Sequence, residues 1–278
     1  MSGTLITVAP TGAETAKADA PTLPTTLEEL VETAVACQAA GAALIHVHVR
    51  DAEHRPSLDP VLLREAVAAL REATDLVVQL STGGGVHDGL EPRLAVLDAD
   101  PDSCSLTCGT LNFGDEVFLN PWGFMVQLYR AAQEREVVPE FELFDLGHVA
   151  TLRRLLDTCG PPFGAGVHVD FVTGVPGGMP ATAQALLAGV AMLPDEVTSW
   201  SATGVGRGHL AVAATALAAG GHLRVGMEDT VTFARGRPVR HNAELVTRAA
   251  DLARLLERPP LSPTQARELL SVKERRRR

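Results

Sequence analysis

Two histidines one residue apart, His46 and His48, lie in the apolar run Leu44-Ile45-His46-Val47-His48-Val49. Side chains two positions apart on a strand share a face, so both imidazoles project to the same side. Such a pair is a natural start to a zinc site; the plain alternative is two hydrogen-bonded core histidines. A third ligand is needed, and Glu228, at the end of the last apolar run, is the carboxylate that fits. An inward carboxylate with no cation beside it carries a large desolvation cost. A His2Glu set leaves positions open for substrate and suits zinc, although manganese, iron or cobalt could also occupy it.

The rest of the chemistry is narrowed by what is scarce. Lys17 and Lys273 are the only lysines, one in a loop and one near the C-terminus. A Schiff base needs a lysine buried on a strand, so carbonyl chemistry here requires a metal as the Lewis acid. Ser81-Thr82-Gly83-Gly84-Gly85 offers hydroxyls and approachable backbone to a substrate carboxylate, or is a flexible turn. Gly204, Gly206 and Arg207 form a second glycine-rich loop, a weak pattern by itself, where Arg207 could meet a pyrophosphate. Arg224 and Asp229 are either a plain ion pair or a tuned acid–base unit. No Ser-His-Asp spacing is visible, and the other seven histidines read singly as structural or surface residues.

These groups need a scaffold. Buried-strand runs fall at 4–9, 44–49, 76–80, 103–108, 138–144, 166–173, 196–201 and 222–227. Stretches of helical period lie between them, clearest at 26–40, 60–73, 148–158, 181–192 and 209–219, with final helices at 240–256 and 263–271. Thr25 and Thr26 ahead of Glu28 and Glu29 mark a helix start, and Gly41 its stop. Eight strands each followed by a helical stretch describe an α/β fold, a single-domain (β/α)8 TIM barrel over 1–278, with a doubly wound sheet as runner-up. Pro176-Gly177-Gly178 reads as a loop over the barrel mouth. Function in such a barrel collects at the C-terminal ends of the strands. Glu14, His46, His48, Ser81, Ser105, Glu142, Arg224, Glu228 and Asp229 all fall there.

At 278 residues, one barrel of roughly 250 residues fits the chain. A net charge of −10 argues against nucleic-acid or anionic-membrane partners. The basic tip at about 273–278 reads as a solvated, disordered tail. Cys37, Cys104, Cys108 and Cys159 lack zinc-ribbon spacing and read as reduced core thiols. No apolar run reaches membrane-spanning length, and the start does not look like a signal peptide; a cytoplasmic location is expected.

Read in order, TGAETAKADAPTLPTT, HVHVRD, QLSTGGG, GTLNFGDE, VVPEFELFD, GVPGGM, GVGRGH, GGHLRVGMED and HNAELV resemble the β-keto acid cleavage enzymes over nearly the whole chain. The resemblance is closest to members that act on 3-keto-5-aminohexanoate in lysine fermentation. It implies a zinc-binding barrel, a homotetramer, and a reaction of a β-keto acid with acetyl-CoA as co-substrate. The products would be acetoacetate and a new acyl-CoA, here 3-aminobutanoyl-CoA. The family's ligands fall on His46, His48 and Glu228. Its other functional positions fall on Glu14, facing an ammonium on the substrate tail, on Ser81 and Ser105, on Glu142, which helps activate the attacking partner, and on Arg224 and Asp229. Ser105 stands where the family often carries threonine. Two other readings are a metal-dependent hydrolase of the amidohydrolase type and a non-catalytic ligand-binding barrel. The first is disfavoured because the histidine pair lies on the second strand and no barrel lysine exists.

Overall fold

The computed structural model describes residues 3–273. Apart from Lys273, the expected basic tip lies outside the described residues. The eight barrel strands are β1 (Ile6–Val8), β2 (Leu44–Val47), β3 (Val77–Leu80), β4 (Ser103–Thr107), β5 (Val138–Leu143), β6 (Val167–Thr173), β7 (Val197–Gly204) and β8 (His222–Val225). All are parallel and pair in the closed order β1-β8-β7-β6-β5-β4-β3-β2. The barrel expected from the alternation of runs is therefore the fold, with β8 beside β1 and β2 next.

Around it run α1 (Leu27–Ala40), α2 (Pro60–Ala73), α3 (Leu90–Ala95), α4 (Trp122–Glu134), α5 (Leu146–Cys159), α6 (Ala183–Val190), α7 (His209–Ala218), α8 (Asn242–Leu255) and α9 (Pro263–Leu270). The start of α1 is a capping box: Thr26 Oγ1 accepts from Glu29 N at 3.2 Å, and Glu29 Oε2 accepts from Thr26 N at 3.2 Å. Gly41, at φ 117°, closes the helix. Helix α2 buries Leu63, Ala66, Val67 and Leu70, one helical stripe, each leucine contributing about 1.5–3 kcal/mol.

Alternate residues of each strand divide between two cores. Outward positions such as Ile45, Val78, Leu106, Phe141, Val169 and Leu223 join the main apolar cluster beneath the helices. Of the inward positions, Leu5, Leu44, Val77 and Val138 form a plug at the N-terminal end, sealed by Ala266 and Leu270 of α9. Above the plug the inward side chains are polar: His46, Gln79, Ser103, Ser105, Thr107, Glu140, Glu142, His168, Asp170, Ser199, Ser201 and Arg224, all buried. This departs from the aliphatic filling usual in the fold. The polar groups are not confined to the mouth but reach down the barrel axis.

Other differences from the sequence reading have local causes. Strand β7 runs three residues past 201, because Ala202, Thr203 and Gly204 pair with Phe171, Val172 and Thr173. Strand β8 stops at Val225; a Cβ at Gly226 would stand 1.8 Å from the carbonyl oxygen of Ala9. Three hairpins not foreseen, Val49–Arg50 with Pro56–Ser57, Leu111–Phe113 with Glu116–Phe118, and Thr232–Ala234 with Arg237–Pro238, extend the loops after β2, β4 and β8 among the described residues. The Pro176-Gly177-Gly178 loop is pinned to the second of them, Gly114 N donating to Pro176 O at 2.9 Å. The four cysteines are free, and three are buried; burial pushes the Cys37 thiol up to about 12.

Candidate active site

A cavity of about 390 Å³ opens at the C-terminal end of the strands. Its polar side carries Glu14, His46, His48, Ser81, Glu142, Arg224, Glu228 and Asp229, and its apolar side includes Phe113, Phe118, Phe144, Val172 and Val175.

His46, on β2, and His48, just beyond it, direct their rings to one point, with ring centroids 5.3 Å apart. Glu228 Oε1 is 3.7 Å from Nε2 of each. One ligand atom from each of the three residues falls within 4.8 Å of the others, the only such metal-capable group among the described residues. Ligands at about 2.0–2.2 Å from a tetrahedral zinc stand roughly 3.3–3.6 Å apart, so a small inward shift closes the set. Two details support the fit. Glu228 Oε2 is buried with no hydrogen-bond partner, an oxygen that a cation would satisfy. His46 Nδ1 is 2.6 Å from Gln79 Oε1, and Gln79 Nε2 donates to Ser103 Oγ at 3.2 Å. That chain assigns the proton to Nδ1 and leaves the Nε2 lone pair for a metal.

Charge states agree. Burial, with Arg224 nearby, drives His46 down to about 3, and burial also lowers His48, so both imidazoles are neutral. Burial pushes the Glu228 carboxyl up, but the Arg224 guanidinium in contact with it outweighs that and holds it low. Gly12, at φ 64°, packs against this ligand: a Cβ there would stand 2.6 Å from Glu228 Cγ.

Arg224, on β8, serves three carboxylates. It donates from Nη2 to Asp229 Oδ1 at 3.0 Å, from Nε to Asp229 Oδ2 at 3.3 Å and from Nη1 to Glu142 Oε1 at 3.2 Å, and it also contacts Glu228 Oε1. Thr107 donates to the other Glu142 oxygen at 2.8 Å. Burial raises Glu142 against the opposing pull of Arg224 and Thr107. Asp229 reaches about 7: burial raises it, Arg224 opposes, and the charge of Glu228 adds to the rise. The site thus pairs a candidate Lewis-acid position with a buried carboxylate, Asp229, that Arg224 holds in place.

Comparison with known proteins decides the family. The model of the beta-keto acid cleavage enzymes matches residues 4–272.

The chain belongs to the β-keto acid cleavage enzyme family.

Among its relatives in that family, the 3-keto-5-aminohexanoate cleavage enzyme of Acetoanaerobium sticklandii is 37% identical over 274 residues, covering 98% of this chain and 99% of that one. Its counterpart in Fusobacterium nucleatum is 38% identical over 278 residues, covering 99% and 100%. The 3-oxoadipate:acetyl-CoA acetyltransferase of Cupriavidus necator is 35% identical, covering 96% and 94%. ObcA in binary complex with oxaloacetate shares the fold, with a TM-score of 0.77 at 19% identity, covering 91% of this chain and 68% of that chain.

Not every residue singled out in the sequence faces the cavity. Ser81, Gly83, Gly84 and Gly206 line it; Thr82, Ser105, Gly204 and Arg207 do not. Thr82 turns into the wall, its hydroxyl donating to Ser105 O at 2.7 Å while its N–H donates to Ser105 Oγ at 3.3 Å. Gly204 is packed under His209, where a Cβ would stand 2.6 Å from the His209 Cα. Arg207 is exposed on the loop after β7. Gly206 reaches the acid–base pair through its backbone, its N–H donating to Asp229 O at 2.8 Å.

Several site residues of this family member were not legible beforehand. Gln79 holds His46, and Arg50 holds the loop carrying Glu14, donating to Gly12 O at 2.6 and 3.1 Å and to Thr15 O at 3.0 Å. A polar residue at an inward position of an apolar strand was the available signal for Gln79. Deeper still, His168 Nε2 is 3.5 Å from Glu140 Oε2, and burial, with Asp170 and Glu142 adding, pushes Glu140 up to about 8. A carboxyl whose folded pKa exceeds its unfolded value near 4.5 loses stability as pH rises through the folded pKa. The stability difference between metal-stripped wild type and Glu140→Gln, from thermal melts, should therefore move against the wild type between about pH 4.5 and 8, by at most about 1.4 kcal/mol per pH unit. A difference that does not change with pH would place the ionisation elsewhere.

Proposed function

We propose that this protein is a zinc-dependent enzyme that condenses a β-keto acid with acetyl-CoA, giving acetoacetate and a new acyl-CoA. The observation that carries the reading is the convergence of His46, His48 and Glu228 with the Arg224–Asp229 pair on one cavity. Zinc held by those three side chains supplies a Lewis acid for the keto group when bound. Ser81 Oγ accepts from Gly83 N at 3.2 Å, which leaves its own proton for a substrate carboxylate oxygen beside the Gly83–Gly84 turn. Asp229 takes a proton from the carbon between the keto and carboxylate groups, and Arg224 stabilises the carboxylate before that transfer. The carbanion so formed attacks the thioester carbonyl and expels the CoA thiolate. The thiolate then attacks the original keto carbon, the adjoining C–C bond breaks, and Asp229 returns its proton to the carbanion released, giving acetoacetate and the new acyl-CoA. Glu142, anchored by Thr107 and Arg224, orients the thioester partner. The exposed loop after β7, with Arg207, is the side from which the CoA pyrophosphate enters.

Glu14 stands exposed at the rim of the cavity, placed to meet an ammonium on the substrate tail; 3-keto-5-aminohexanoate is the substrate that fits, as in lysine degradation. Exchanging Glu14 for glutamine should raise KM for amine-bearing keto acids about tenfold and leave neutral tails within about twofold. Equal losses on both would remove Glu14 from tail recognition. The whole chain acts as one catalytic domain in a cytoplasmic homotetramer, a state that light scattering of the purified protein checks. No helix among the described residues is long and apolar enough to cross a membrane. The deciding experiment is mass-spectrometric product analysis with acetyl-CoA and a panel of β-keto acids, with and without zinc. Acetoacetate with a matching acyl-CoA, lost on metal removal, is the expected result; no product from any tail by the zinc-loaded protein would overturn the reading.

A further inference from the structure

Arg93, on α3, is the bulkiest of the fully buried side chains, only 2% exposed, and its hydrogen bonds go to neutral acceptors. Nε donates to Thr82 O at 2.7 Å, Nη1 to Leu119 O at 2.6 Å and Nη2 to Asn120 Oδ1 at 2.5 Å. The guanidinium lies 4.7 Å from the ring centroids of both Phe118 and Phe124. Its charge acts on Glu142 and Asp88 only at longer range. Burying a cation without a counter-ion is costly, and aromatic faces offset part of that cost.

Each contact leads to the cavity. Thr82 lies between Ser81 and Gly83, both on the wall, and Phe118 is a wall residue itself. A Cβ on Gly83 would stand 3.2 Å from the Phe118 ring, so turn and ring are packed together, with Arg93 tied to both. Asn120 continues the brace, donating from Nδ2 to Gly109 O at 3.3 Å and from its backbone N–H to Thr110 Oγ1 at 2.8 Å.

We propose that Arg93 is a positioning residue for the substrate carboxylate: it fixes the Ser81–Gly84 turn against Phe118 and sets behind it a guanidinium whose own hydrogen bonds all go to neutral acceptors, while the Asp88 carboxylate at the same turn is held by the N–H of Gly85 at 2.7 Å. The proposal rests on the reading that the keto-acid carboxylate binds this turn. In that geometry the charge favours an anion at the turn, and the planar fork, which lysine lacks, holds the carbonyls of Thr82 and Leu119 in place.

The test uses zinc-loaded protein and two readouts: steady-state KM for keto acid and for acetyl-CoA, and calorimetric binding of acetoacetate without turnover. Arg93→Met should weaken acetoacetate binding and raise the keto-acid KM about tenfold or more, with the acetyl-CoA KM and zinc content within about twofold. Arg93→Lys should recover part of the loss. Asn120→Asp sets a carboxylate against the guanidinium, at the loss of the bond to Gly109 O, and should weaken acetoacetate binding several-fold; it carries the test if Arg93→Met does not fold. Equal rises in both KM values, or acetoacetate binding unchanged in Asn120→Asp, would overturn the proposal. Wild-type turnover with Arg93-independent binding overturns it and leaves the proposed reaction standing. Arg93-dependent binding without turnover supports it and removes the reaction.

Discussion

Replacing His46 with alanine should abolish zinc binding and turnover together. The side chain is buried and shares its focus with His48 Nε2 and Glu228 Oε1, so two ligands remain where at least three are needed. Loss of a Lewis acid worth several kcal/mol in the transition state corresponds to about 10³-fold or more in kcat/KM. The substitution also strands Gln79, whose Oε1 accepts from His46 Nδ1; a buried acceptor left without its donor costs about 1–3 kcal/mol. Metal analysis after dialysis and kinetics on the same sample check both. Stoichiometric zinc retained by the variant would sink the ligand assignment, whatever happened to activity.

The second large effect is expected at Arg224. Exchange for methionine leaves Glu142, Glu228 and Asp229 buried without the cation they share, a change of about 3–5 kcal/mol in stability. The sign with pH follows from the charges. Arg224 opposes the burial-driven rise of Glu142 and Asp229 and holds Glu228 low; without it Glu142 and Asp229, already raised, rise further, and Glu228 rises with them. Such groups stabilise the fold while protonated, and that contribution is lost as pH rises through the folded pKa. The deficit of Arg224→Met relative to wild type, measured by thermal melts of metal-stripped protein, should therefore be smallest near pH 5 and grow towards pH 8. A deficit constant across that range would mean that Arg224 is held for packing rather than charge. Activity of the zinc-loaded variant should fall by two to three orders of magnitude, comparable to losing a preorganised electrostatic partner.

What the chain disclosed in advance follows from which signals are local. Apolar runs with β-branched residues located all eight barrel strands, and Thr26 with Glu29 located the start of α1, because buried strand and capping box are written in neighbouring residues. Helix α4 is not among the clearest helical stretches of the sequence, since Trp122, Gly123 and Phe124 follow Pro121 without a side-chain cap. The hairpins after β4 and β8 are short and lean on the rest of the mouth, so tertiary contact rather than propensity forms them. At the site, His46, His48 and Glu228 were accessible because strand parity and desolvation cost both speak through residue type. Thr82 was grouped with substrate contacts because it adjoins Ser81 and Gly83 in sequence, and Ser105 because the family resemblance implies it, yet both hydroxyls are engaged within the wall. Gln79, Arg50 and Arg93 act on site residues through backbone or second neighbours distant in sequence, and no local pattern announces that.

The alternation along the barrel strands bears on how this protein can change. In β5, Phe141 and Leu143 belong to the apolar layer under the helices, while Glu140 and Glu142 face the axis. Adjacent letters of one strand thus answer to different selective demands, one set to cohesion and the other to chemistry. Point substitutions can explore the inward letters while the shell that keeps the barrel closed stays untouched, a permissive arrangement for acquiring new substrates. A single-residue deletion within a strand has no such freedom. It would turn carboxylates into the oily layer and phenyl rings into the axis, exchanging both sets at once, so diversification of this barrel is expected to proceed by replacement within strands and by length change only in the loops.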